Sequence, residues 1–133
     1  MSAEGAGYSK RPLADKLGIK AGMRVAVIHA PDGYPALDEV EQVELSAKSL
    51  DFIHLFTKSR AELDAQFPKL KAALTPNGIL WLSWPKKAAK VETDLDENII
   101  RDTGLAIGLV DVKVAAVDSV WSGLKFVYRL KDR

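Results

Sequence analysis

The apolar positions of this chain fall into a few short continuous runs separated by segments of helical period. Arg24-Val25-Ala26-Val27-Ile28 and Leu50 to Phe56 are apolar on consecutive positions and rich in β-branched or aromatic residues, the pattern of strands buried on both faces. Ile79-Leu80-Trp81-Leu82-Ser83-Trp84 reads the same way and is stopped by Pro85. Between the second and third runs, Leu63, Phe67, Leu70 and Leu74 recur at helical spacing behind a Ser59…Glu62 capping box. Pro68 lies inside that helix and predicts a kink or two short helices. Pro76-Asn77-Gly78 predicts a closing turn.

The remaining elements follow from the same rules. Pro12 to Leu17 is a short helix candidate with Gly18 as its left-handed stop. Asp94 to about Ile107 predicts a second long helix, ended by Gly108 and weakened at Gly104 by about 1 kcal/mol relative to alanine. Val110 to Val117 and Leu124 to Leu130 predict a hairpin with the later strand at the sheet edge. Strands alternating with helices argue for parallel βαβ units. The expected fold is therefore α/β: a small, mostly parallel Rossmann-like sheet flanked by helices, with an antiparallel C-terminal hairpin. Residues 31–49 are the least regular stretch, with room for a short helix near Ala36–Val40 and a strand at Gln42–Leu45. The few residues before Leu50 lead us to expect that strand at an edge or pairing antiparallel.

Composition narrows the function classes. A 133-residue chain with 47% apolar residues makes one domain, read as a flexible tail over 1–7 and a single unit over 8–133. With no cysteine, disulfides, thiolate metal sites and a cysteine nucleophile are excluded. The N-terminus has no signal-peptide pattern and no apolar run is long enough to span a bilayer, so the expected location is the cytoplasm. Net charge is only +1, but residues 51–90 carry seven positive and three negative side chains, so a local patch remains available.

The phrase Leu17-Gly18-Ile19-Lys20-Ala21-Gly22-Met23-Arg24-Val25, a later strand at Asp51–Phe56, a Pro-Asn-Gly turn into Gly-Ile-Leu-Trp, a helix and a closing hairpin together resemble a class I S-adenosylmethionine-dependent methyltransferase with its middle removed. More specifically, Tyr8-Ser9, Pro12-Leu13-Ala14, Ser83-Trp84-Pro85-Lys86-Lys87, Thr93-Asp94-Leu95 and Trp121-Ser122-Gly123-Leu124-Lys125 resemble a small bacterial family with a domain of unknown function, a likeness that brings no activity with it. The methyltransferase family places a glycine-rich loop after its first strand and an acid after its second. Here the loop is His29-Ala30-Pro31-Asp32-Gly33, and Glu44 is the one candidate acid. The resemblance therefore implies the fold without the cofactor site, and no cofactor is expected.

Ligands of open parallel sheets sit beyond the carboxyl ends of the strands. That rule gathers His29, Ser59, Arg60, Trp84, Lys86, Lys87 and Trp121 into one candidate rim for a small anionic ligand, with the indoles as stacking faces and the helix start after Ser59 as a further anion site. The alternative is that the lysines are solvated loop charges and the tryptophans core or edge packing. His54, mid-strand, reads as a buried, hydrogen-bonded ring, and His29 as either a reactive group or a loop anchor. Asp94, Asp96 and Glu97 read as helix caps, and Asp38, Glu39, Glu41 and Glu44 as a solvated face. No catalytic residue and no metal spacing stands out. The function expected is a non-enzymatic binding or interaction module for an anionic ligand or a protein partner. The alternative is a reduced methyltransferase-like enzyme. Nucleic-acid binding through residues 58–90 is the least favoured reading, and a membrane partner is not expected.

Overall fold

A computed structural model describes residues 13–133. The expected tail over 1–7 and the helix start at Pro12 lie outside the described residues. Six strands form one sheet: β1 (Arg24–Ile28), β2 (Glu41–Gln42), β3 (Leu50–Phe56), β4 (Leu74–Pro85), β5 (Leu109–Ala116) and β6 (Trp121–Tyr128). Residues 13–17 are helical (α1), and two longer helices follow, α2 (Arg60–Ala73) and α3 (Glu97–Ala106). The strand order is β2-β1-β3-β4-β6-β5. The first four are mutually parallel, and β6 runs antiparallel to both β4 and β5.

The alternation of side chains divides the interior into two layers. Ile53 and Leu55 of β3, Leu80, Leu82 and Trp84 of β4 and Leu124 and Phe126 of β6 point to the side covered by α2 and α3. Phe52, Trp81 and Ala115 point to the other side, covered by α1 and the 34–40 loop. There the indole of Trp81 donates from Nε1 to the Leu17 carbonyl at 2.8 Å, which pins α1 to the sheet.

Several local expectations need correction. Pro68 does not split α2 into two short helices; the helix is continuous over 14 residues. The proline is on the exposed side, while Leu63, Phe67, Leu70 and Ala73 bury the opposite side on both flanks of it. Pro76-Asn77-Gly78 is a bulge inside β4: Leu74 and Ile79 pair with Leu50 and Phe52, so four residues of β4 stand opposite one of β3. Gly78 is required there, because a Cβ would come within 3.0 Å of the Leu50 carbonyl oxygen and closer still to Leu74. The short helix expected at Ala36–Val40 is absent. α3 starts at Glu97, with Asp96 as its cap, rather than at Asp94.

The strand β2 lies at an edge but pairs parallel with β1. It is two residues long and beside the first two residues of β1, so the chain need only pass beneath β1 to start β3. Arg24 holds that passage, donating to the carbonyls of Ala47 (3.4 Å) and Lys48 (3.2 Å), while its backbone N–H donates to Asp51 (2.9 Å).

The hairpin expectation fails in one respect. The last strand is not the edge: β6 inserts between β4 and β5, and β5 is the edge. Burial explains this, because Leu124 and Phe126 are fully buried whereas Val112 and Val114 are about half exposed. The register of β5 shifts between Asp111 and Lys113, a bulge that interrupts the free edge and guards it against pairing with another chain.

Candidate functional site

Because β1, β3 and β4 are parallel, their carboxyl ends share one side of the molecule, and the antiparallel β6 brings Trp121 there opposite Pro85. His29, Ser59, Arg60, Lys86, Lys87 and Trp121 therefore stand along one edge. Trp84 reaches the same end but is only 5% exposed and packs in the helix-side core, so it offers no free stacking face. The half-exposed indole at this end is Trp121, whose ring meets Phe56 edge-on at 5.2 Å.

The rim is held by polar contacts that the sequence does not reveal. His29 has a positive φ of 62°, and its Nδ1 lies 3.3 Å from a Glu62 carboxylate oxygen. The other Glu62 oxygen accepts from Thr57 Oγ1 at 2.5 Å. Glu62 thus ties the tip of β1 to the tip of β3, and His29 is a loop anchor. Ser59 accepts from the Glu62 backbone N–H at 3.2 Å, as the capping box requires.

The helix start that the sequence offers as an anion site is already occupied from within. The Arg60 backbone N–H donates to Asp94 Oδ1 at 2.7 Å. Asp94 therefore caps α2, thirty-four residues away in sequence, and not α3. The link is doubled by Thr93, whose hydroxyl donates to the Lys58 carbonyl at 2.7 Å. Replacing Asp94 with alanine is expected to cost about 1 kcal/mol in urea titrations at low salt. A loss below a few tenths would mean that solvent replaces the carboxylate without penalty.

What remains for a ligand at this end is a cleft beside the buried Trp84, lined by Lys86, Lys87 and Ser122 and also by three acids, Asp94, Asp96 and Glu97. Lys86 is fixed at the backbone, donating to the Val120 carbonyl at 2.8 Å. Among the described residues neither Lys86 nor Lys87 has a carboxylate within 4 Å. No three histidine or carboxylate side chains among the described residues converge on a metal position.

A second polar group lies under this end. His54 is fully buried, with Nδ1 2.8 Å from Tyr34 Oη and Nε2 2.8 Å from Ser83 Oγ, and its ring stacks on Phe56 at 4.1 Å. Burial pulls the imidazole down to about 3, so the ring is neutral, and it pushes the Tyr34 phenol up. Ser83 is fully buried too, and His54 is its side-chain partner among the described residues. The arrangement that leaves no hydrogen stranded in the dry interior has Ser83 donating to Nε2 and Nδ1–H donating to Tyr34. A Ser–His pair shut away in this manner is not an accessible nucleophile. Sequence reading identifies His54 as a satisfied core histidine but gives no hint of Tyr34, because its partner is twenty residues away across an irregular loop.

No family model and no curated protein matches the chain. Among solved structures, it is similar to a TehB-like SAM-dependent methyltransferase from Corynebacterium glutamicum, with TM-score 0.61 and 11% identity over 90% of this chain and 87% of that one. It is also similar to a SAM-dependent methyltransferase from Thiobacillus denitrificans in complex with S-adenosyl-L-homocysteine, with TM-score 0.59 and 11% identity over 92% and 91% of the two chains. A third neighbour is a precorrin-6y C5,15-methyltransferase from Geobacter metallireducens, with TM-score 0.59 and 10% identity over 92% and 88%. With identities this low the likeness is one of fold. The chain has a truncated, Rossmann-like methyltransferase fold.

Proposed function

We propose that this protein is a reduced methyltransferase-like enzyme working at its strand-tip rim. The fold neighbours favour that reading over a purely non-enzymatic binding module. The observation that carries it is the strand order, with β6 inserted antiparallel beside β4, which sets the tips of β1, β3 and β4 and the start of β6 at one end. That is the end where open α/β sheets receive ligands.

The reading implies S-adenosylmethionine, and the residues present fit it poorly. One feature is favourable: Gly33 has φ +86° and open space where a Cβ would be, so a ligand could approach its backbone. Two are not. Glu44, two residues past β2, leads directly into the turn over Leu45–Ala47, whose Ala47 carbonyl is held by Arg24 at the start of β1 and not by a residue of the rim. The α2 start is already taken by Asp94. These residues do not make a nucleoside pocket, and we derive no methyl-transfer step through the cofactor. What the chain itself supplies is charge from Lys86 and Lys87 for an anionic group and one half-exposed indole, Trp121, for an apolar part.

Calorimetry with S-adenosylmethionine and S-adenosylhomocysteine tests the reading. Weak binding, on the order of millimolar, is expected, and it should weaken further when Lys86 and Lys87 are both changed to glutamate. Absence of heat at millimolar ligand would leave the second reading, a non-enzymatic module, which the internally capped α2 start favours.

A further inference from the structure

A separate basic cluster lies on the α1 side of the sheet, away from the strand tips. In β6, Leu124 and Phe126 face the two long helices, so Lys125 faces α1, level with Trp81 of β4. Lys113 of the edge strand is its direct cross-strand partner. Directly opposed side chains on antiparallel strands have Cβ atoms about 4.5–5.5 Å apart, and like charges there destabilise a sheet. Lys20, in the turn that follows α1, adds a third cation near enough to act on Lys125. Lys16 donates to the Ala116 carbonyl at 3.1 Å, and Lys113 spends one of its three N–H bonds on the Lys16 carbonyl at 3.4 Å, which keeps its ammonium on the α1 side.

The three are not held in close ion pairs. Among the described residues none of them has a carboxylate within 4 Å. Asp15, Asp38 and Glu39 line, with Lys20, a groove between α1 and the 35–40 loop. Burial, then the charge of Lys113, then that of Lys20 hold the Lys125 ammonium below its ordinary range. A folded chain that opposes two lysines and half-buries one of them bears a repulsion that a bound anion would relieve.

We propose that Lys20, Lys113 and Lys125 form a binding site for a phosphate group carried by a small molecule. Two lysines opposed across neighbouring strands, with a third close enough to act on one of them, suit a compact, multiply charged oxyanion. A nucleic-acid strand spreads single charges along a track and needs a longer row of cations. The site is independent of the rim and of the enzymatic reading.

The test is an amide NMR titration of the full chain with inorganic pyrophosphate, at ionic strength held constant with sodium chloride. Saturable shifts are expected at Lys20, Lys113 and Lys125, and the Lys125 side-chain pKa should rise on binding. The Lys113→Gln and Lys125→Gln variants, made separately, should each weaken binding by roughly tenfold or more. Without ligand, Lys113→Gln should also raise Tm by roughly 1–4 °C, since it removes the repulsion. The proposal is overturned if chloride alone reproduces the shifts, if the Lys125 pKa stays put with pyrophosphate, or if both variants bind as before. Tighter retention of duplex DNA than of pyrophosphate under the same salt would overturn it as well. If Lys113 serves only to guard the edge, Lys113→Gln self-associates on size exclusion and keeps its pyrophosphate response.

Discussion

Lowering the pH from 7 to 4.5 is expected to remove about 3 kcal/mol of stability through His54 alone. The imidazole is fully buried and neutral, with a pKa pulled down to about 3 from the ordinary 6.5. Between those two values the unfolded chain binds a proton that the folded chain refuses, so stability rises with pH through this window. The contribution is complete above about 6.5 and is lost progressively as the pH falls toward 3. Urea titrations at several pH values measure the slope. A His54→Gln variant, less stable at pH 7, should show a much flatter dependence between pH 6.5 and 4.5, where carboxylates alone remain to titrate. If wild type and variant share one slope, His54 is protonated in the folded state and the Tyr34–His54–Ser83 chain is wrongly described.

The second large effect is at Gly104, where helix propensity and packing give opposite signs. Propensity alone has Gly104→Ala stabilise α3 by about 1 kcal/mol. In the folded protein a Cβ on Gly104 would stand 2.2 Å from Phe126 Cε1 and 2.7 Å from Cζ. Phe126 is fully buried, and Phe67 of α2 holds it edge-on at 5.3 Å, so the ring has little freedom to retreat. Overpacking of this kind costs about 1–3 kcal/mol, and this overlap lies at the upper end. Gly104→Ala is therefore expected to destabilise by about 2 kcal/mol in denaturant titrations. A variant as stable as the parent, or more so, would mean that α3 lifts off the sheet without penalty.

These two positions also illustrate what could be read in advance. The strands β1, β3 and β4 are legible because burial on both faces writes an unbroken apolar run, and α2 because its capping box and buried stripe agree. Ser59 declares itself by its capping partner three residues on. Gly104 does not declare its role, since a glycine needed for a close approach looks in sequence like a glycine that merely weakens a helix. Position in the sheet is hidden for a similar reason. The terminal hairpin announces antiparallel pairing, yet whether its first or second strand lies outside depends on which one β4 accepts, a contact forty residues away. Strand polarity alone sets the tips of β1, β3 and β4 and the start of β6 at one end. The facing of Trp84 into the core and the capping of α2 by Asp94 depend on tertiary contacts with no local signature. Residues 31–49 were hardest because Tyr34, Pro35 and Leu37 pack singly, without a period.

The insertion of β6 between β4 and β5 has a consequence for how the chain is made. Of the six strands, the one translated last joins the two that precede it. Until Trp121–Tyr128 has left the ribosome, the nascent chain holds β4 as an open margin and β5 as a strand with no neighbour to bond to. Closure of this half of the sheet must follow synthesis of that final segment, and a polypeptide stalled before residue 121 would present Trp81 and Leu82 beside an unfilled slot, the kind of surface that chaperones bind.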